Sequence, residues 1–269
     1  MYITVYNDKG GTGKSTFVRE IALYMERYGK KPLIVDLDYK NSITKSFDID
    51  KADNVEALLE TRTSINTALT STKYVDIIPG SYGIKKCEIK NTIRENIKFI
   101  EDDYDFILID TSGENIISDM AIYQSDIIVV PVVADTYNIF NLSHTIEHIK
   151  KTIESGQKIY TLITKVDDEE STLGVIEEIG AICSRNNVEV FETMIREDET
   201  VKMVQAKGKE LRSYDFVSDA AEDYKLLTEE FVSKTELFMK EIKIEREEEE
   251  KISILEEKIN EIASLNSEV

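Results

Sequence analysis

Short runs of Val, Ile and Leu punctuate most of the chain, and between them apolar residues recur at helical spacing. Tyr2–Tyr6 reads as a strand, and Ser15–Tyr28 follows with Phe17, Ile21, Leu23, Tyr24 and Tyr28 on a helical repeat. Leu33–Leu37 reads as a buried strand. Val75–Ile78, Phe106–Ile109, Ile127–Val133 and Ile159–Ile163 are further apolar runs closed by polar or turn residues. A strand with one wet face alternates apolar and polar residues, whereas a near-continuous apolar run is buried on both faces, as in a parallel sheet covered by helices. The pattern predicts a doubly wound, mostly parallel α/β domain over about residues 1–235. Pro32, Pro79 and Pro131 are the only prolines, each at or near a predicted strand edge, where a missing N–H costs least.

From about Ser218 the pattern turns helical to the end. After EREEEEK, Ile252, Leu255, Ile259 and Ile262 stand at 3-4-3 spacing. This apolar seam on an acidic helix fits a solvated or folded-back terminal helix, or one that binds a partner. The expected organisation is a domain over 1–243 and an acidic helical tail over 244–269.

Charge sharpens this picture. The 269 residues carry 53 acidic and 33 basic side chains, for a net charge of -20, and the pI is about 4.6. The stretch from Glu236 onward holds 11 acids and 5 bases, so -6 of that charge lies in the tail. Such a balance excludes a protein that coats nucleic acid or anionic membrane with its whole surface, and leaves room for a local basic patch. Cys87 and Cys183 are far apart with no CxxC, which excludes a disulfide framework and a Cys-rich zinc or iron–sulfur site and suits a reducing compartment. His144 and His148 stand at i, i+4 without the HExxH glutamate, and read as a solvated helix face. No apolar run reaches the roughly 18–20 residues of a membrane span. The N-terminus runs straight into MYITVY, without the pattern of a signal peptide.

The strongest chemical signal is Lys9-Gly10-Gly11-Thr12-Gly13-Lys14-Ser15-Thr16, between a predicted strand and a predicted helix, the context that marks a phosphate-binding loop. Glycines let backbone N–H groups turn inward onto phosphate oxygens, and the helix beginning near Lys14 aims its own free donors at the same anion. Lys14 is placed to neutralise the β- and γ-phosphates, Ser15 to ligate Mg²⁺, and Thr16 to contact the α-phosphate. The strict GxxxxGK[ST] spacing is not met: its first glycine position is Asp8, and a second lysine, Lys9, opens the loop.

In this the chain resembles the deviant-Walker ATPases, the ParA/Soj/MinD family. Asn7 fits that family's N-x-K-G-G. Val35-Asp36-Leu37-Asp38 matches its second motif, and Tyr104-Asp105-Phe106-Ile107-Leu108-Ile109-Asp110-Thr111 its Walker B segment. Val75–Gly80 and Asp126–Val132 also match. Phe191–Arg196 looks like the late strand that ends beside the adenine, through Ile195 and Arg196, and Gln205–Lys209 like the segment after it. The resemblance implies a P-loop ATPase using ATP and Mg²⁺. Lys9 would reach across a sandwich homodimer to the partner's phosphates. Asp38 would position the attacking water, Asp110 and Asp36 would support Mg²⁺, and Thr111–Glu114 would form a switch loop. Two departures fall in switch segments: Tyr39-Lys40 replaces the usual Pro-Gln, and Ser112-Gly113 the usual Pro-Pro.

The resemblance is to the small ParA class without an N-terminal helix-turn-helix domain. It implies an ATP dimer that binds DNA nonspecifically, with slow hydrolysis stimulated by a ParB-like partner, in the cytoplasm on the nucleoid. The alternative is an ATPase that positions a protein cargo or acts as a nucleotide-gated scaffold without DNA. A MinD-like membrane role suits the acidic tail poorly, and metal-carrier relatives usually bring a CxxC. Two basic clusters are candidates for DNA. Lys202, Lys207, Lys209 and Arg212 fall in the region that is the usual DNA side in the family. Lys86, Lys90, Arg94 and Lys98 recur every four residues and predict a basic stripe on one helix, unless glutamates pair with them.

Overall fold

The computed structural model describes residues 1–154, 156–167, 170–214 and 217–267, and their side chains except at 170–171, 206 and 245–267. The chain divides into two units, Met1–Thr228 and Glu229–Val269. The first is an α/β domain with strands β1 (Tyr2–Val5), β2 (Pro32–Asp36), β3 (Thr70–Ser71), β4 (Asp76–Ile78), β5 (Phe106–Asp110), β6 (Ile127–Val133), β7 (Lys158–Val166), β8 (Glu189–Val190) and β9 (Ile195–Arg196). The helices are α1 (Lys14–Met25), α2 (Ser42–Ser46), α3 (Val55–Leu59), α4 (Ile65–Ala68), α5 (Ile93–Ile97), α6 (Ile116–Gln124), α7 (Thr136–Thr152), α8 (Glu170–Arg185), α9 (Glu199–Ala206) and α10 (Asp219–Ser267). The second unit is the greater part of α10. The apolar seam expected at Ile252–Ile262 falls where side chains lie outside the described set.

The strands form one sheet in the order β3-β4-β2-β5-β1-β6-β7-β8, with β9 also on β7; every pairing is parallel except β3 with β4. Apolar runs produce this arrangement because both faces are covered. Leu33, Val35, Ile107 and Ile109 join a core cluster with Leu58, Ile97 and Ala121 from α3, α5 and α6. Ile128, Val130 and Val132 join another with Leu142, Ile146, Ile179 and Ile182 from α7 and α8. Phe17, Ile21 and Leu23 of α1 are fully buried, each contributing about 1.5–3 kcal/mol.

Pro131 sits inside β6, and the sheet explains why it is tolerated. The β1 ladder reaches β6 only as far as Tyr6 N–H, which donates to the Val129 carbonyl (2.9 Å). Pro131 lies past that point and needs no N–H there. Its carbonyl accepts from Asn7 Nδ2 instead (2.8 Å). β1 therefore gives way at the sheet's carboxyl edge, between its neighbours β5 and β6, which is where open α/β sheets bind ligands.

Candidate nucleotide-binding site

The loop between β1 and α1 is held by side chains from distant strands. Asn7, buried, donates to β6 as above and accepts the Lys9 N–H on its Oδ1 (2.9 Å). The Thr164 hydroxyl of β7 lies 3.0 Å from the Thr12 carbonyl. Gly11 (φ 79°) and Gly13 (φ 97°) occupy the left-handed region, which residues with a Cβ rarely enter. Gly13 is also the N-cap of α1, and no side chain caps that helix. By contrast Asn115, Asp135 and Asp198 cap α6, α7 and α9 with their own oxygens. The first N–H groups of α1 are thus left for an anion, on the positive end of the helix dipole.

Lys14 is buried, and its Nζ donates back across the loop to the carbonyls of Asn7 (2.9 Å) and Lys9 (3.0 Å). Burial lowers its pKa, while Asp110 and Asp38 oppose the shift. Lys9 points elsewhere: its ammonium lies 4.2 Å from the ring centre of Tyr137, a side chain 72% exposed at the start of α7.

Ser15 Oγ donates to Asp110 Oδ2 (2.6 Å). Asp110 is fully buried, and its Oδ1 has no hydrogen-bond partner among the described residues. Burial raises its pKa well above the carboxylate range, and the charges of Asp36 and Asp38 push the same way. A buried carboxylate with an unsatisfied oxygen next to a hydroxyl calls for a hard cation. The pair fits Mg²⁺: Ser15 and Asp110 would hold it.

Asp36, in register with Asp110 across β2 and β5, is held by more partners. Its Oδ2 accepts from the Thr44 N–H (3.0 Å) and Thr44 Oγ1 (2.6 Å), and its Oδ1 from the Asp38 N–H (3.2 Å). Both oxygens are engaged in shaping the loop that carries Asp38. Burial raises the Asp36 pKa to about 6, against the Thr44 hydrogen bonds. Asp38 is buried and accepts the Lys40 N–H (3.1 Å) on Oδ1. The turn at Gly113 packs against the start of the phosphate loop, since a Cβ there would lie 3.2 Å from the Asp8 carbonyl.

A cleft of about 350 Å³ opens over this loop. Gly10, Gly11, Gly13, Lys14, Ser15 and Thr16 line one part, and Asp38, Lys40 and Ser112 another. Ile195, Arg196, Glu197 and Asp198, with Val201, Lys202 and Gln205 of α9, line the remainder. Arg196 is fixed by Asp223, which accepts from its Nη2 (2.7 Å) and its backbone N–H (2.8 Å), with Asp219 3.0 Å from Nη1. Of these residues the sequence pattern did not single out Thr164, Lys40, Asp198 or Gln205 for the site. Thr164 reaches it from more than a hundred residues away with no local spacing to announce it, and Gln205 belongs to the Gln205–Lys209 segment, whose resemblance gave it no place in the site.

The basic clusters change in the structure. Lys86, Lys90, Arg94 and Lys98 do not share a helix: Tyr82–Lys86 is a 3₁₀ turn, and α5 begins only at Ile93. The cause is a capping box in which Thr92 and Glu95 exchange hydrogen bonds and start a new helix. Arg94 is held by the Gln124 carbonyl (2.7 Å) and Asp126 (2.8 Å). Arg212 is buried, donating to the Leu23 carbonyl (2.7 Å), Glu26 (2.9 Å) and Glu210 (2.7 Å), so it is not available to a DNA phosphate. Lys202 lines the cleft, 3.1 Å from Glu199. Lys207 and Lys209 stay exposed after α9.

A glycine loop joining a central parallel strand to an uncapped helix, with a Ser–Asp pair suited to Mg²⁺, defines a P-loop nucleoside-triphosphatase. Comparison with known proteins narrows the class. A family model described as an AAA domain matches residues 1–161. The sporulation initiation inhibitor protein Soj of Bacillus subtilis (strain 168) is 26% identical over 247 residues, 85% of this chain and 96% of Soj. The chromosome partitioning protein ParA of Myxococcus xanthus (strain DK1622) is 24% identical over 253 residues, 86% of this chain and 88% of ParA. The septum site-determining protein MinD of Pyrococcus horikoshii OT3, solved with Mg-ADP, superposes with a TM-score of 0.73 at 21% identity, covering 88% of this chain and 98% of its own. The chain belongs to the ParA/Soj/MinD family of P-loop ATPases. Among the described residues no helix is long and apolar enough to cross a membrane.

Proposed function

We propose that this protein is a ParA-type partition ATPase. It forms an ATP-dependent sandwich homodimer in the cytoplasm, binds nucleoid DNA nonspecifically, and moves a plasmid or chromosome with a ParB-like partner that stimulates slow hydrolysis. The observation that carries the reading is the division of labour between two lysines. Lys14 is enclosed by its own loop, whereas Lys9 lies outside it on an exposed ring, a placement that suits contact with a second subunit's phosphates. Bound Mg²⁺ would neutralise the β- and γ-phosphates. Around it Lys14 and the α1 N–H groups would bind the phosphate chain, Asp38 would orient water and accept its proton, and Lys9 would stabilise the developing charge in trans.

DNA binding measured with ATP and with ADP over a range of salt tests this function. ATP-only binding that weakens steeply with salt is expected. Absence of binding at low salt overturns the DNA role. A dimer formed equally well by Lys9→Ala overturns the trans role. The second reading, an ATPase that positions a protein cargo, is favoured by two observations: Arg94 and Arg212 are committed to internal partners, and the net charge is -20.

A further inference from the structure

Helix α9 touches the nucleotide cleft along one side and carries exposed lysines just beyond its end. Among the described residues it meets the phosphate loop through a hydrogen bond between side chains: Gln205 Nε2 donates to Thr16 Oγ1 (2.9 Å). The two residues are separated by 189 positions and both line the cleft. A threonine hydroxyl has one hydrogen to donate and two lone pairs to accept with. Accepting from Gln205 therefore leaves the Thr16 hydrogen unassigned and able to donate to another acceptor. Thr16 stands in the first turn of α1, where the uncapped N–H groups point into the same cleft.

The rest of α9 is tied so that this contact matters. Asp198 caps its start through the Thr200 N–H (2.7 Å), and also accepts from Ser218 Oγ (2.6 Å). At its end the Lys209 N–H donates to the Val204 carbonyl (2.8 Å), and the Lys209 carbonyl accepts from Arg19 Nη2 (2.7 Å) on α1. A Cβ at Gly208 would lie 3.3 Å from the Ser46 carbonyl, so this turn lies against the end of α2. Among the described residues α9 is thus tied to α1 by Gln205–Thr16, and the turn after it by Arg19–Lys209; of these the Gln205–Thr16 contact lies in the cleft.

We infer that Gln205 is a positioning residue that orients the Thr16 hydroxyl toward a bound nucleotide's α-phosphate, and that the same hydrogen bond makes α9 and the following lysines firmer when nucleotide is present. Chained hydrogen bonds polarise one another, so a phosphate accepting from Thr16 strengthens what Thr16 accepts from Gln205. Occupancy of the cleft is thereby passed to Lys207 and Lys209 without any contact between those lysines and nucleotide. The inference rests on the ATPase reading above, and its test is independent of DNA.

The experiment is amide hydrogen exchange of residues 199–209 in the full-length protein, with and without Mg-ATP, alongside the Kd of a fluorescent ATP analogue. In the wild type, nucleotide is expected to slow exchange across α9 by about 1.2- to 1.7-fold, a strengthening of roughly 10–30% in a hydrogen bond of about 1 kcal/mol net worth. Gln205→Ala is expected to bind the analogue several-fold more weakly and to lose the slowing. Thr16→Ser, which keeps the hydroxyl, is expected to retain it, whereas Thr16→Val loses it. Adding Gln205→Ala to Thr16→Val is expected to change nothing further, since the two groups act through one contact. A slowing in Gln205→Ala equal to that of the wild type, or nucleotide binding by the wild type with no change in α9, overturns the inference and leaves the ATPase reading standing. Failure of the wild type to bind nucleotide overturns both.

Discussion

Gly80 follows β4 at the back of the site, and replacing it with alanine is a sharp test of how the Asp38 loop is built. Its N–H donates to Thr44 Oγ1 (2.8 Å), which in turn donates to Asp36. A Cβ added there would lie 2.6 Å from Asn41 Oδ1 and 2.9 and 3.0 Å from Cγ and Oδ2 of Asp36. Real contacts of this type are longer, so either Asp36 and Asn41 move or the strand end does. Both side chains are buried, and neither can swing into solvent. Overpacking of this kind costs about 1–3 kcal/mol. At roughly 2–4 °C per kcal/mol for a chain of this size, the Tm should fall by roughly 2–12 °C. The displacement passes through Asp36 to the Asp38 N–H it holds, while the phosphate loop is anchored separately by Asn7 and Thr164. Turnover of Gly80→Ala should therefore drop by roughly 10- to 100-fold, as for a misplaced catalytic group, with ATP affinity little changed. Calorimetry, steady-state ATPase assays and equilibrium nucleotide binding check the three quantities. A wild-type Tm with wild-type turnover would refute the packing argument, and a loss of ATP affinity as large as the loss of turnover would refute the separation of the two loops.

Other outcomes follow from the same geometry. Asp38→Ala should bind ATP and fail to turn it over in a phosphate-release assay; unchanged turnover would remove Asp38 from the chemistry. Asp36 has a folded pKa of about 6 against an ordinary 3.8, so the folded state holds its proton more tightly. That contribution to stability is fully present below the unfolded pKa and is lost as pH rises through the folded one. It amounts to about 3 kcal/mol in all. Denaturant titrations should then show the difference between wild type and Asp36→Asn changing between about pH 4 and pH 6 in that sense; parallel curves would contradict it. Arg212→Ala should cost about 1–3 kcal/mol in urea unfolding, because it removes the donor to the Leu23 carbonyl and the partner of the part-buried Glu210, while the more exposed Glu26 is taken up by water; a loss of DNA affinity at unchanged stability would restore Arg212 to the nucleic-acid surface.

The strands and the phosphate loop were legible in the sequence because their signals are local. A run such as Ile127–Val133 must be covered on both faces, and KGGTGKS needs only its flanking strand and helix to make sense. The stripe from Lys86 to Lys98 misled because four-residue charge spacing says nothing about where a helix starts. The Thr92–Glu95 pair that breaks it was present in the sequence as T-x-x-E. Arg212 gave no such warning: Glu26 and the Leu23 carbonyl, which bury it, lie 186 and 189 residues away. Asp36 was legible as part of a motif, whereas its hydrogen bonds from Thr44 depend on a segment that folds back over it and has no fixed spacing. Distances between strand ends, not spacing along the chain, decide what such residues do.

The two carbonyls that hold the Lys14 ammonium have a kinetic consequence. A glycine-rich loop free in solution would sample many shapes, and a nucleotide would have to wait for, or induce, the one that fits. Here the lysine acts as an internal template: it braces the loop around a positive centre, so the ordering entropy is met during folding and not at the moment of encounter. An arriving phosphate chain has only to compete with two neutral acceptors for a cation already in place. An ordered loop of this kind leaves capture of the phosphate chain to diffusion and charge.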